Sequence, residues 1–183
     1  MNSKVERLLE RVFTKPKQFM YQILHKNFHA QSRQRWEKDC KFIIKKGVVQ
    51  IGKNCNFRSG LRLRAIDGIV SIGDDSFCNH NVSITCMNKI TIGNHVKIAN
   101  NCVIVDHDHD YKNQNVGYTI GSVVIENDVW IGANCVILKD TYIGEHSVIA
   151  AGSVVKGVVP PYTIWGCEKA RKLKDVTILK KEN

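Results

Sequence analysis

Five consecutive residues, Asp106, His107, Asp108, His109 and Asp110, gather the side chains of this chain that are best suited to chemistry. Imidazoles and carboxylates are good ligands for a metal ion. An imidazole that titrates near neutral pH can also take a proton from a hydroxyl, which is general-base chemistry. The same residues suit a solvated polar loop or salt bridges at an interface. Residue types alone leave these four readings open, so the placement of the segment has to choose among them.

The segment interrupts a regular pattern. From Ile125 to Pro161 the sequence divides into sixes: IENDVW, IGANCV, ILKDTY, IGEHSV, IAAGSV, VKGVVP. Ile125, Ile131, Ile137, Ile143, Ile149 and Val155 open the blocks. Val129, Cys135, Thr141, Ser147, Ser153 and Val159 hold the fifth place, which is always small or β-branched. No α-helix repeats every six residues. A chain turning a triangular corner every six does, and three blocks make a coil of about 18 residues, the hexapeptide-repeat β-helix. The aliphatic residue should point inward and the small one should sit near the corner. Glycine, frequent in second place, is expected at corners with positive φ.

The register continues upstream at Ile51, Ile72, Cys78, Ile84, Ile92 and Ile98. Phe42, Ile43, Ile44, Val48 and Val49 read as strand, and GLRLRAIDGIV alternates, with Arg58, Arg62 and Arg64 outward. The phase slips slightly between Ile84 and Ile92. A much longer slip between Ile104 and Ile125 contains the His/Asp segment. An insertion that leaves the winding intact on both sides projects as a loop, expected here over 106–121. Trp130 follows in the next block, as an edge aromatic at a subunit contact or one wall of a cofactor slot.

The 183 residues suit one domain with an appended helical segment. No stretch approaches the roughly 20 apolar residues of a membrane span. The N-terminus contains acids and lacks a long apolar core, which argues against a secretory signal and for a cytoplasmic protein. Of the seven cysteines, Cys55, Cys102 and Cys135 take the small fifth place and Cys78 an aliphatic first place. They read as small buried hydrophobes, not as disulfides or metal ligands.

The net charge of +10 is concentrated at the front, where residues 1–50 hold 12 Lys/Arg against 4 Asp/Glu. Val5, Leu8, Leu9, Val12 and Phe13 form one helical stripe, and Phe19, Met20, Ile23 and Leu24 a second. Pro16 should end the first helix or begin the second. Residues 30–40 are expected to continue as helix. These helices either cap the open end of the solenoid or lie on an anionic membrane surface. No nucleic-acid module accompanies the basic residues, so nucleic acid is not an expected partner.

Taken together, DHDHD in an outward loop, VIENDVWIGANCVIL, YIGEHSVIAAGSVV and VPPYTIWG resemble the hexapeptide-repeat acyltransferases, over roughly residues 48–171. The nearest subgroup acetylates sugars of capsule, O-antigen or exopolysaccharide. The resemblance implies an all-β fold: a left-handed parallel β-helix over 41–166, after a basic helical segment at 1–40 and before a basic tail at 167–183. It implies a homotrimer with active sites between subunits, acetyl-CoA as co-substrate, a sugar or glycan acceptor, and no metal. His107 matches the family base, with His109 in reserve. Asn79 matches an acceptor-binding residue, and Asp106 is assigned to the acceptor beside it. Trp130 matches the aromatic beside the pantetheine arm, Ala133 the backbone N–H facing the oxyanion, and Ala151 a contact to the cofactor arm. Lys156 and Arg171, with Lys172 and Lys174, are expected near the nucleotide phosphates. The tail departs from the family, since Gly166-Cys167-Glu168-Lys169-Ala170-Arg171 lacks its usual proline. Two rival enzymes share the repeat, an amino-sugar N-acetyltransferase and a metal-dependent carbonic anhydrase, whose histidine spacing is missing here. A non-catalytic assembly scaffold is a third rival.

Overall fold

Aliphatic residues every six positions have to be stacked coil upon coil to leave water, and the chain stacks them. The computed structural model describes residues 3–110 and 117–166, with side chains from Val12 onward except Phe13. A helix, α1 (Ser3–Leu24), comes first. Three strands then make each coil. The first coil has β1 (Phe28–Ala30), β2 (Arg35–Trp36) and β3 (Lys41–Ile44). The second has β4 (Val48–Ile51), β5 (Asn56–Phe57) and β6 (Arg62–Ala65), and the third β7 (Ile69–Ile72), β8 (Phe77–Cys78) and β9 (Ser83–Cys86). The fourth has β10 (Lys89–Ile92), β11 (Lys97–Ile98) and β12 (Val103–Val105), and gives off a hairpin of β13 (His107–His109) and β14 (Tyr118–Ile120). β15 (Ser122–Ile125), β16 (Trp130–Ile131), β17 (Val136–Ile143), β18 (Val148–Ile149), β19 (Val154–Val159) and β20 (Ile164–Trp165) complete about six turns.

Successive coils pair in parallel and form three faces. Face A contains β1, β4, β7, β10, β15 and the second halves of β17 and β19. Face B contains β2, β5, β8, β11, β16, β18 and β20. Face C contains β3, β6, β9, β12 and the first halves of β17 and β19. Along face B one inward column reads Trp36, Phe57, Cys78, Ile98, Ile131, Ile149, all buried. Burying each such aliphatic side chain contributes about 1.5–3 kcal/mol. Every first-place and fifth-place residue of the Ile125–Pro161 register is buried, as the six-residue spacing requires.

The coils are not uniform. Ile131 to Ile149 is the expected 18 residues, but Phe57 to Cys78 is 21 and Cys78 to Ile98 is 20. The extra residues sit at the corner from face C to face A, at Lys45–Gly47, Ile66–Gly68 and Met87–Asn88. The His/Asp hairpin grows from that same corner one coil later. Corner glycines also work differently from expectation. Left-handed φ falls mainly on Asn, Asp and His, at Asn54, Asp75, Asn81, His95, Asn101, Asp128, Asn134 and His146. These residues tolerate that region because their polar side chains bond locally. On one corner Asn81 donates to Asn101 and Asn101 to Asn134, at 3.2 and 3.1 Å. The second-place glycines answer to space instead: a Cβ on Gly132 would stand 2.6 Å from the Ala151 nitrogen of the next coil.

The N-terminal part departs from expectation twice. α1 runs through Pro16 as one helix of 22 residues. An interior proline costs about 3 kcal/mol, and packing against the first coil offsets it. Thr14 Oγ1 accepts from Trp36 N–H at 2.8 Å, Lys17 Nζ donates to Lys38 O at 2.9 Å, and Gln18 Nε2 donates to Ala30 O at 2.8 Å. Tyr21 joins the rings of Phe28 and Phe42. The helix therefore caps the open end of the solenoid. Residues 30–40, expected as helix, instead carry the first coil, which begins at Phe28 and not at 41. Burial explains it: Phe28, Ala30, Gln34, Trp36 and Cys40 all face inward at strand and corner spacing. Of the outward arginines, Arg62 and Arg64 are exposed and Arg58 pairs with Glu37 at 2.8 Å.

Cys40, Cys55, Cys78, Cys86, Cys102 and Cys135 are buried. Burial pushes the Cys40 and Cys55 thiols up to about 12, and those of Cys78, Cys86 and Cys102 upward as well. Thiolate is the reacting form, and Cys135 is shielded by its burial, so all six should resist a disulfide reagent at pH 8. Titration of the folded protein should find at most one fast thiol, and all seven after denaturation. Two or more fast thiols in folded protein would contradict this packing.

Candidate active site

Alternation along face C sorts the DHDHD segment into two sides. Ile104 points inward, Val105 outward, and Asp106 inward again. One residue past the Val105–Thr85 pair, Asp106 falls beneath Cys86, in the inward column already holding Ile44, Ala65 and Cys86. Its side chain is 0% exposed. A buried carboxylate must be matched by donors, and the preceding corner supplies them. Oδ1 accepts from Met87 N–H at 2.8 Å, and Oδ2 accepts from Asn88 N–H at 2.8 Å and from Cys86 Sγ at 3.1 Å. His107 Nδ1 lies 2.9 Å from Oδ1. Burial works to raise the Asp106 carboxyl, but hydrogen bonds from His107, Met87, Asn88 and Cys86 outweigh it and hold it below the usual carboxylate range.

An ionised Asp106 fixes the histidine tautomer. Nδ1 carries the proton and donates to the carboxylate, leaving the Nε2 lone pair to accept one. The His107 side chain is 14% exposed, so the ring is screened from bulk water without being sealed off. The hairpin holds its other side. β13 and β14 pair antiparallel, setting His107 opposite Ile120 and His109 opposite Tyr118. The Tyr118 ring stands edge-on to His107 at 5.4 Å and tilted against His109 at 4.8 Å. Gly121 N–H donates to Asp106 O at 2.8 Å, and Asn88 Nδ2 donates to Gly121 O at 2.8 Å, which ties the hairpin base to the previous coil. A Cβ on Gly121 would meet the Asp140 carboxylate at 2.0 Å, so a larger residue there would push that exposed side chain aside.

The other expected site residues fall elsewhere. Asp106, expected at the acceptor, has both its oxygens engaged inside the coil and its side chain fully buried. His109 is exposed, and among the described residues its ring meets Tyr118 and no carboxylate. Asn79, Ala133 and Ala151 all lie at the corner from face B to face C, in the third, fifth and sixth coils. Trp130 stands outward on face B, 54% exposed, between Lys97 and Val148. Lys156 is exposed at the corner from face C to face A, the His107 edge. Arg171, Lys172 and Lys174 lie outside the described residues. One copy of the chain thus carries two separated groups. His107 and Lys156 are on one edge, and Asn79, Trp130, Ala133 and Ala151 are around another. Among the described residues no three His, Cys, Asp or Glu side chains converge as a metal would need. Sequence reasoning missed Tyr118 and the anchoring corner Cys86–Asn88. The alternation from Ile104 was a signal for the latter.

The β-helix thus sets a carboxylate-anchored imidazole beside a hairpin at one of its edges. Residues 122–157 match the family model of the bacterial transferase hexapeptide, six repeats. Over 146 residues the chain is 32% identical to WbbJ of Escherichia coli K12, provisionally assigned as a lipopolysaccharide biosynthesis O-acetyl transferase, covering 73% of this chain and 74% of that one. It is 31% identical over 140 residues to a galactoside O-acetyltransferase of Lactococcus lactis, covering 73% and 67%. A hexapeptide-repeat acetyltransferase of Vibrio cholerae, solved with acetyl coenzyme A, superposes with TM-score 0.55 at 30% identity, over 88% of this chain and 79% of that one. The chain belongs to the hexapeptide-repeat acetyltransferases, and it is an enzyme of that kind.

Proposed function

We propose that this protein moves an acetyl group from acetyl-CoA to a sugar hydroxyl, in building a capsule, O-antigen or exopolysaccharide in the cytoplasm. The observation that carries the reading is the Asp106–His107 pair, with Nδ1 anchored and Nε2 left as the base. A relative provisionally assigned to lipopolysaccharide biosynthesis and a galactoside O-acetyltransferase support the acceptor class, and the Vibrio relative, solved with acetyl coenzyme A, supports the donor.

The chemistry follows from that pair. A sugar hydroxyl is a weak nucleophile near neutral pH. As its oxygen attacks the thioester carbon, its proton passes to His107 Nε2. The carbonyl electrons move onto oxygen, and the main-chain N–H at Ala133 is the donor we assign to that oxyanion. The C–S bond then breaks, and the departing thiolate takes the proton back from Nε2. The products are an acetyl ester and the CoA thiol, with His107 neutral again. Trp130 offers a flat apolar wall to the pantetheine arm, Ala151 leaves room beside it, and Lys156 and Arg171 offer charge to the phosphates.

The two separated groups become one site only when two copies meet, with the His107 edge of one beside face B of the next. A closed ring about an axis parallel to the solenoid joins the two groups at every interface, and the family resemblance supports three copies in that ring, a homotrimer. The test is release of CoA thiol from acetyl-CoA across a panel of sugars, glycans and amino sugars. Thiol release with ester formation on a neutral sugar is expected. Release only with amino sugars, giving amide, would replace this reading with N-acetylation.

A further inference from the structure

The face of α1 turned away from the solenoid is unusually apolar for a surface. Thr14, Lys17, Gln18 and Tyr21 hold the inner face against the first coil. On the opposite face Val12, Phe19 and Ile23 are 56%, 66% and 63% exposed, with Met20 beside them at 47%. At about 100° per residue these positions lie in one stripe, across the helix from Tyr21. A contiguous apolar patch of this kind marks a surface that meets something other than water. At its border, the seam between α1 and the first coil opens into a cavity of about 390 Å³ lined by Lys15, Gln18, Ser32, Arg33 and Gln34. Lys15 and Arg33 are exposed, and among the described residues neither pairs with a carboxylate.

Charge decides what fits. Lys15 and Arg33 stand at the border of this patch, so a second copy docking through it would bring like charges together. A surface that is apolar in its depth and anionic at its rim matches both features. No described helix is long and apolar enough to cross a membrane, so α1 can lie on one but not through it. We propose that the outer face of α1 docks on an anionic lipid bilayer, with Val12, Phe19, Met20 and Ile23 entering the headgroup–acyl boundary and Lys15 and Arg33 holding lipid phosphates. The interaction is independent of the catalytic edge. It places the enzyme flat against the bilayer by its N-terminal end, with the solenoid axis leading away.

Co-sedimentation of the full chain with phosphatidylcholine vesicles, with and without phosphatidylglycerol, tests this. The protein should bind the anionic vesicles, bind neutral ones at least about tenfold less, and be weakened by salt. Phe19→Gln with Ile23→Gln should cut binding at least about tenfold, with melting temperature and thiol-release activity retained. Lys15→Glu with Arg33→Glu should do the same by reversing charge, and guards against misfolding of the first variant. Absence of wild-type binding to anionic vesicles overturns the proposal, as does wild-type binding by both variants. A fall in oligomeric mass of the Phe19/Ile23 variant would mean that a second copy covers the face, and would overturn it too.

Discussion

His107→Ala should lose about a hundredfold to ten-thousandfold in kcat, which is the usual contribution of a positioned base. That is roughly 3–5.5 kcal/mol of transition-state stabilisation. The fold should survive, because the His107 ring sits in the hairpin, held by Asp106 and Tyr118, and is not part of the buried inward columns of the coils. KM for acetyl-CoA should change little, since the donor is expected on other residues. His109→Ala should be milder, as its exposed ring lacks a carboxylate anchor among the described residues. Wild-type turnover by a folded His107→Ala protein would remove the base from the mechanism. Equal losses for the two histidines would remove the distinction drawn between them.

Asp106→Asn should be nearly as damaging, for a reason visible in the hydrogen bonds. An amide offers one oxygen where the carboxylate offers two. With that oxygen at Oδ1, the new NH2 faces Asn88 N–H, donor against donor. With it at Oδ2, the NH2 faces His107 Nδ1 and drives the ring to the tautomer that carries its proton on Nε2, where it is no base. The expected result is a fall in kcat of about a hundredfold or more, with KM for acetyl-CoA nearly unchanged. A buried unmatched donor also costs about 1–3 kcal/mol, seen as a lower melting temperature. The pH dependence has a definite sign. Asp106 is depressed in the folded state, so it adds stability above the ordinary carboxylate value, about 3.9. That share is lost only as pH falls through the depressed value. Wild type should therefore show an acid-side loss that the variant lacks. A kcat unchanged in Asp106→Asn would show that the pair does not set the tautomer.

These two residues also show how far the sequence could be read. The run from Ile125 to Pro161 repeats at 18 residues, so its inward columns were legible without coordinates. The first three coils repeat at 21 and 20, because the corner from face C to face A holds extra residues. That offset hid the match of Trp36 to Phe57 and Phe57 to Cys78, and let residues 30–40 pass for helix. His107 was singled out by residue type at a break in register. Asp106 was read as an acceptor contact, because in an insertion its side chain looked as free as its neighbours. Only strand alternation carried on from Ile104 turns it inward. Its partners Met87 and Asn88 contribute backbone N–H groups, which leave no trace in residue type. Tyr118 depends on hairpin pairing across residues 111–116, a tertiary fact that no periodicity encodes.

The claim everything else leans on is that the base and the donor site belong to different copies. His107→Ala removes the base from one edge. Ala151→Trp, at an exposed corner position, should block the cofactor arm on the other without disturbing the core. Each variant alone should be nearly inactive. Co-expressed and purified as mixed oligomers, they should regain thiol release, because some interfaces then join an intact His107 edge to an intact donor face. Mixed oligomers as inactive as either parent would mean that both groups act within a single chain, and the two-copy site would be wrong.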